Sequence, residues 1–561
     1  MKIVKNGKIL GNESLMRDIC AFSANISAKR IACVEIYLSS SYDFIVALFG
    51  AINAGIKAYI LPKEANLGLG VLINDNNFAE FVGESGIDSS EYRNFGGKNL
   101  LDLFSESALD LPFFLSTSGS SKDSGDIIPK TARQMICEAQ TLRETLGANA
   151  NDIFIASATH QHLYGLTHKI FLPLIAKATI LDNDLKFPEL ILEYCAESLR
   201  ESIKSKGDSH DDSHQDSRDD SPTKNLILIT SPTLLKYLSK QPNLRPLFAL
   251  KAIISAGAKL DSAIRAHFRE AINLDIFEVY GSTESGVVAF NAHFSDKLVP
   301  FRGVNLRVDS DSRLIIRSAW SVNALMSGDF ISNDSAKIEN GALILQGRMD
   351  RIVKFFERRV SLDSLEAQIR ALAIIEDCFV GVIAGQNHAH CIITLSASGK
   401  ELFLQNGKKG IVEAIKTLKI KEIRHFHIRA KLPHNNQGKI TKKDFVACVS
   451  EKIVPRFEII RAESDLLNAR SYADEGSFYF DGHFANFPLV PGFVELGFVV
   501  ELAKKHLNLG ENFNIESVKF ISFLRPFSVV EVQMERKNNK IYFQILSDKK
   551  ECANGRISPK D

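Results

Sequence analysis

Two hydrophobic periods alternate through the first half of the chain. RIACVEIYL (30–38) is a run of apolar and β-branched residues, SYDFIVALFGAINAG (41–55) repeats apolar positions at helical spacing, and KAYILP (57–62) returns to a strand-like run. Strand, helix and strand in that order predict a βαβ unit and a parallel sheet. The order recurs in NLILIT (225–230), a helix from Ser231, KAIISAG (251–257), a further helix and IFEVYG (276–281). Strands alternate with helices to about residue 290, which predicts an α/β large domain over 1–347.

The pattern then changes twice. Beyond residue 347 the elements shorten and mix, which predicts a small α+β lobe over 348–452. Past Lys452, strands rich in aromatic and β-branched residues (NIESVKFISFL, SVVEVQME, KIYFQIL) surround one predicted helix over 491–507. Antiparallel strands around one helix predict a separate α+β domain over 455–561. One stretch fits neither period. GDSHDDSHQDSRDDSPTK (207–224) has no apolar residue before Pro222, has nothing to bury, and reads as a disordered surface insertion.

Composition narrows the class. A chain of 561 residues is too long for one core, and 45% apolar with 24% charged residues is ordinary for globular protein. A net charge of +1 provides no field to hold nucleic acid or an anionic membrane. The eight cysteines form no CxxC pair and read as reduced thiols, so a cytoplasmic protein is expected. The N-terminus lacks the apolar run of a signal peptide. The most apolar segment, FIVALFGAINAGIKAYILP, carries Asn53, Lys57 and internal glycines and reads as a core helix and strand, not a membrane span.

Candidate chemistry begins at LSTSGSSKDSGDIIPKT (115–131), a loop dense in Ser, Thr and Gly after the apolar run LPFFL. Hydroxyls and close backbone N–H groups suit an anion. The Walker spacing is absent. By residue types alone a flexible surface turn is an equal reading. Four further stretches shift that balance: VYGSTESG (279–286), MSGDF (326–330), GRMDRIVKFFERRVSLDSLE (347–366) and HNNQGKI (434–440).

In this order, over roughly residues 1–452, they resemble the adenylate-forming (AMP-binding) superfamily of acyl-CoA synthetases, aryl-CoA ligases and adenylation domains. The resemblance implies an enzyme that uses ATP and Mg²⁺ to convert a carboxylic acid to acyl-AMP and passes the acyl group to a thiol, either coenzyme A or the phosphopantetheine of a separate acyl carrier protein. It implies that Thr117, Ser118, Gly119, Ser120, Ser121 and Lys130 hold phosphate. Gly257 and Ala258 would lie against the adenine and Tyr280 would stack on it, with Gly281 and Ser282 also binding the nucleotide. Thr283 would contact the α-phosphate, Glu284 the metal, Asp329 and Arg348 the ribose. Lys439 matches the mobile catalytic lysine and Asp350 the hinge. Two departures stand out. KDSGDII enlarges the phosphate loop, and Glu357 sits where many members have glycine, which puts access of the thiol arm in doubt. Asp363-Ser364-Leu365 echoes a carrier-protein motif but lies inside the hinge stretch. The physics agrees with these roles: a carboxylate attacking a phosphate joins two anions, so a metal and a lysine that neutralise charge carry the reaction.

SATHQHLYGLTHKIFLPLIAKATI (157–180) occupies the region that lines the acyl pocket in that superfamily. His160, Tyr164 and Gly165 are the expected pocket residues. Of His160 and His162, at most one is expected to face the pocket.

FYFDGHFANFPLVPGFVELGFVVELAKKH (478–506) resembles the hot-dog-fold 3-hydroxyacyl-carrier-protein dehydratases through His483, Phe484, Pro488, Pro491 and Gly492. The resemblance implies a base at His483 and a helix N-terminus aimed at a thioester oxygen. The acid expected fourteen residues on is replaced by Gly497. Helical geometry turns Glu495 about 200° away from that direction and leaves Glu501, one turn on, as the substitute. Hot-dog domains usually pair, so a homodimer is expected. The pairing of the two regions resembles aryl-polyene-type lipid biosynthesis, with an aryl or fatty starter acid. A non-catalytic dimerisation or carrier-docking module, or a degenerate nucleotide-binding protein, are the rival expectations.

Overall fold

The computed structural model describes residues 1–64, 67–83, 99–116, 126–207, 225–291, 297–324, 328–355, 358–434, 440–480, 484 and 487–560. The insertion expected at 207–224 lies outside these except for Gly207. Contacts divide the chain into two compact units, Met1–Gln346 and Gly347–Asp561.

The first unit is built on parallel strands, as the alternating periods require. A nine-stranded sheet runs, edge to edge, through Val299–Pro300, Gly286–Asn291, Ile276–Ser282, Leu250–Ala256, Leu226–Thr230, Ile153–Ala156, Thr179–Asp184, Lys2–Lys5 and Lys8–Leu10. Its six central strands, from Ile276–Ser282 to Lys2–Lys5, are mutually parallel. Leu226–Thr230 is buried at every position, as expected for a strand covered on both faces.

A second, five-stranded sheet contains the first predicted βαβ unit: Cys33–Tyr37, the helix Ser41–Asn53 and Lys57–Ile60, with the strands parallel. Ser40 caps that helix by accepting from the Asp43 N–H. The same sheet ends in Pro112–Ser116 and Ile127–Thr131, paired antiparallel with Ser116 opposite Ile127. The two stems of the Ser/Gly-rich loop are therefore neighbours. A four-stranded sheet from Asn305 to Arg348 follows.

The second unit opens with the hairpin Ile352–Phe355 and Arg358–Ser361, the helix Leu362–Arg370 and a three-stranded sheet of Ile375–Val382, Ala389–Leu395 and Ile423–Ile428. Its C-terminal half is a six-stranded sheet, antiparallel throughout: Glu458–Ala462, Leu466–Tyr472, Val529–Lys537, Lys540–Ser547, Lys550–Pro559 and Phe513–Phe520. The predicted helix is present as Gly492–His506 and buries Glu495, Phe498, Val499, Leu502 and Ala503. One apolar core joins both halves. Phe403 meets Phe527 edge to face at 5.7 Å, and the Arg525 guanidinium donates to the Leu404 carbonyl at 2.5 Å. No helix among the described residues is long and apolar enough to cross a membrane.

Candidate active site

Parallel strands place their following loops on one edge of the sheet, where α/β proteins bind ligands. Gly257 and Ala258 follow the strand Leu250–Ala256 and are exposed there. Tyr280, Gly281 and Ser282 end the adjacent parallel strand, and Thr283 and Glu284 form the turn after it. Gly257 has φ +97°, a conformation that glycine adopts freely. The sequence motifs at 255–260 and 279–286 are thus brought together by the sheet itself.

The turn is held from both sides. Ser282 and Ser285 exchange backbone-to-hydroxyl hydrogen bonds at 3.0 and 3.1 Å. Behind it, the Val322 N–H donates to the Glu284 carbonyl at 2.9 Å. Gly281 packs so closely that a Cβ would stand 2.2 Å from the Gly286 carbonyl oxygen.

Lys130 sits under this turn. It is 1% exposed, and its ammonium donates to the Trp320 carbonyl at 2.7 Å and the Glu284 carbonyl at 3.3 Å. Burial lowers its pKa to about 8, with the Glu138 and Glu284 charges opposing the shift. Glu138, also buried, accepts from the Val287 N–H at 2.7 Å, and burial pushes its carboxyl upward. Gln134 donates to the Ser321 carbonyl at 2.9 Å, and the Trp320 indole donates to the Val287 carbonyl at 2.9 Å. Lys130, Gln134 and Glu138, from the strand that closes the Ser/Gly loop and the helix Ala132–Leu146, thereby fasten the Thr283–Glu284 turn. Lys130 acts on that turn through backbone carbonyls. Gln134, Glu138 and Trp320 were not foreseen; the i, i+4 spacing of Gln134 and Glu138 just after Pro-Lys was the available signal.

The Glu284 carboxylate carries no hydrogen bond or ion pair among the described residues, which leaves its oxygens available to a hard cation. Tyr280 donates its hydroxyl to Asp334 at 2.5 Å, which fixes the ring at the strand end. Asp329 lies between two guanidiniums, accepting from Arg317 at 2.7 Å and from Arg307. A cavity of about 280 Å³, lined by Gly303, Asn305, Arg317, Ser318, Ala324 and Gly328 among others, opens there. A larger one of about 640 Å³, around Lys5, Ser39 and Asp43, involves none of these residues.

Thr117, Ser118, Gly119, Ser120 and Ser121 lie outside the described residues, as do Lys439, Glu357 and His483. In the second unit Arg348 holds Asp350 by two bonds of 2.8 Å. Gly347, φ +120°, would carry a Cβ 2.8 Å from Asp363, whose carboxylate accepts from the Arg348 N–H at 3.2 Å and from Arg351. Asp363 is thus a brace of the hinge stretch.

Residues 157–162 form a turn that enters a helical stretch over 163–176, not a strand. His160 is fully buried. Its Nε2 lies 2.8 Å from the Leu38 carbonyl, its Nδ1 3.4 Å from Ser41 Oγ, and its ring 4.3 Å from that of Phe44. Burial lowers its pKa to about 3. His160 therefore secures the start of the helix Ser41–Asn53. Tyr164 reaches the strand ends, its hydroxyl 2.8 Å from the Ile254 carbonyl and 3.0 Å from that of Thr230. Gly165 is required by closeness: a Cβ would stand 2.0 Å from the Thr159 carbonyl oxygen.

On the helix Gly492–His506 the two carboxylates lie in different surroundings. Glu495 is 2% exposed, its Oε2 is buried without a hydrogen-bond partner among the described residues, and burial raises its pKa to about 7. Glu501 is outside, paired with Lys505 at 2.6 Å. The reason is packing. Residues 495, 498, 499 and 502 share the stripe that the six-stranded sheet covers, and 493, 497 and 501 share the exposed one.

Known proteins agree with both halves. MatB from Rhodopseudomonas palustris, solved with ATP, superposes with a TM-score of 0.62 at 16% identity, over 80% of this chain and 95% of that one. A benzoate CoA ligase from Burkholderia xenovorans LB400 gives 0.59 at 16% identity, over 79% and 96%. O-succinylbenzoate coenzyme A synthetase (MenE) from Bacillus subtilis, with AMP, gives 0.57 at 15% identity, over 79% and 94%. The fold is that of the AMP-forming CoA ligases. Residues 460–556 match the ApeI-like family model, described as ApeI dehydratase. The ApeI-like region coincides with the six-stranded sheet and its helix. No curated protein matches the chain.

Proposed function

We propose that the chain is an ATP-dependent acid–thiol ligase whose ApeI-like region acts on 3-hydroxyacyl thioesters. The observation that carries the first part is the Thr283–Glu284 turn, fastened by Lys130 and Trp320 at the carboxyl edge of a parallel sheet with the ligase fold. A carboxylate oxygen of an aryl or fatty acid attacks the α-phosphorus of ATP. The O–P bond forms as the bond to pyrophosphate breaks. A thiolate, of coenzyme A or a carrier protein, then attacks the acyl carbon and AMP leaves. Bound Mg²⁺, held by Glu284, supplies charge neutralisation at the phosphates. Thr283 and the 117–121 loop orient them, Lys439 stabilises the developing charge, Tyr280 supports the base, and Asp329 the ribose. ATP–pyrophosphate exchange with a panel of aryl and fatty acids tests this. Exchange with one class, reduced on the order of 10²–10³-fold by Glu284→Gln, is expected. Nucleotide binding without exchange for any acid leaves only a nucleotide-binding protein.

In the ApeI-like region, His483 takes the α-proton and Glu495 protonates the leaving hydroxyl. A buried carboxyl whose pKa lies near 7 is protonated often enough at neutral pH to donate. Thioester dehydration that is present in the chain and lost in both His483→Ala and Glu495→Gln supports this reading. No dehydration by the unaltered chain assigns the region to docking or pairing.

A further inference from the structure

Outside both sites, four histidines lie on one face of two neighbouring strands. HAH (388–390) runs into the strand Ala389–Leu395 and HFH (425–427) lies in the edge strand Ile423–Ile428. Successive side chains of a strand alternate faces, so each H-x-H pair points one way. The strands are parallel, with His390 opposite His425 and Ile392 opposite His427. The rings of His388 and His425 are 4.8 Å apart, those of His390 and His425 4.6 Å, and those of His388 and His390 5.4 Å. One ring nitrogen from each of the three lies within 4.8 Å of one from each of the others.

We propose that His388, His390 and His425 bind a divalent transition-metal ion of the zinc, nickel or copper class and clip the edge strand to its neighbour. Three imidazoles and no carboxylate suit borderline, nitrogen-binding ions over Mg²⁺ or Ca²⁺. Metal–nitrogen bonds of ~2.05 Å at tetrahedral angles put ligand atoms ~3.3 Å apart, so ring movements of about 1 Å close the site. His425 is exposed and His388 half-buried, which gives the ion a way in, while buried His390 anchors it.

His427 completes the arrangement. Its Nε2 lies 3.0 Å from His390 Nδ1, and Gln386 Oε1 lies 2.6 Å from His390 Nε2. Ligation through Nε2 displaces the Gln386 contact and leaves the proton on Nδ1, which donates to His427. An imidazole held by its second nitrogen is oriented for a metal. The fourth coordination position stays open to water or an outside ligand.

The test adds Zn²⁺ or Ni²⁺ to untagged, metal-stripped full-length protein and follows binding by equilibrium dialysis and Tm. One equivalent per chain, a Tm that rises with metal, and at least tenfold weaker binding in both His425→Ala and His388→Ala are expected. Deleting residues 208–224, which contain His210 and His214, leaves that binding in place. Because His425 is exposed, its variant folds, and an unchanged metal-free Tm checks this. No stoichiometric binding, or binding lost with the 208–224 deletion and kept in His425→Ala, overturns the proposal.

Discussion

The Lys130 ammonium donates to the Trp320 carbonyl at 2.7 Å from a position closed to solvent. The same group reaches the Glu284 carbonyl, so one cation ties the strand after the Ser/Gly-rich loop to the turn that carries Thr283 and Glu284. Lys130→Met keeps the volume but leaves two buried carbonyls and the Glu138 charge without it. Removing one partner of a buried charged network typically destabilises by about 3–5 kcal/mol. The expected outcome is a lower Tm and ATP–pyrophosphate exchange reduced on the order of 10²-fold, with kcat falling more than KM for ATP rises. Wild-type exchange kinetics in Lys130→Met would show that the tie does not position the turn.

Glu495 makes stability depend on pH in a stated direction. Its folded pKa is raised from 4.5 to about 7, so between those values the folded chain binds more protons than the unfolded one. Stability of the second unit therefore falls as pH rises from about 4.5 through about 7. A shift of this size corresponds to on the order of 3 kcal/mol. Glu475, also raised to about 7 by burial, adds to the same slope. Urea unfolding at pH 5 and pH 8 checks this. Glu495→Gln is expected to flatten the slope and to be the more stable protein at pH 8; an unaltered slope refutes the buried-carboxylate account.

The burial of that carboxylate is not encoded in its spacing from His483. The spacing turns Glu495 away from the direction of Gly497, and the structure has Glu495 buried and Gly497 exposed. What decides burial is the sheet, and the stripe 495, 498, 499, 502 has the i, i+3, i+4, i+7 form that marks a covered helix face. The strands Leu226–Thr230, Leu250–Ala256 and Ile276–Ser282 were legible because each is a short, mainly apolar run bounded by a loop. His160 was not, because its partners Leu38 and Ser41 lie 122 and 119 positions away. Lys130 was legible as a motif residue, but its hold on the Glu284 and Trp320 carbonyls joins residues 154 and 190 positions apart, and no local pattern encodes that.

Exposed aromatics beside the helix Gly492–His506 point to pairing. Phe484, Phe493, Phe520 and Phe523 are all more than half exposed, Phe487 packs edge-on against Phe523, and Gly492 lies against the Phe520 ring. A group of large apolar side chains left in water marks an association surface. A second copy of the chain is the expected partner, consistent with a two-fold contact of one patch with itself. Sedimentation of the wild type should give a dimer, and Phe493→Asp with Phe523→Asp a monomer that still performs acid-dependent exchange. A monomeric wild type at tens of micromolar, on the scale where stable dimers persist, removes this assignment.

The core shared by the two halves of the second unit makes a prediction about truncation. Phe403, 1% exposed, lies on the helix Ala397–Lys416 of the first half and meets Phe527 of the second; Lys400, on the same helix, stands 5.5 Å over the Phe527 ring. A chain ending at residue 453 keeps the ligase-like span but exposes this helix face. Burial of one such aromatic contributes about 1.5–3 kcal/mol, and several side chains of that core lose their cover together. Amide exchange across residues 397–416 should therefore speed up by at least two orders of magnitude in the truncated chain. In the full chain, Phe527→Ser should give a smaller change at the same amides and leave those of residues 226–230 untouched. Equal protection of 397–416 with and without residues 454–561 would mean that the two halves fold independently and only touch.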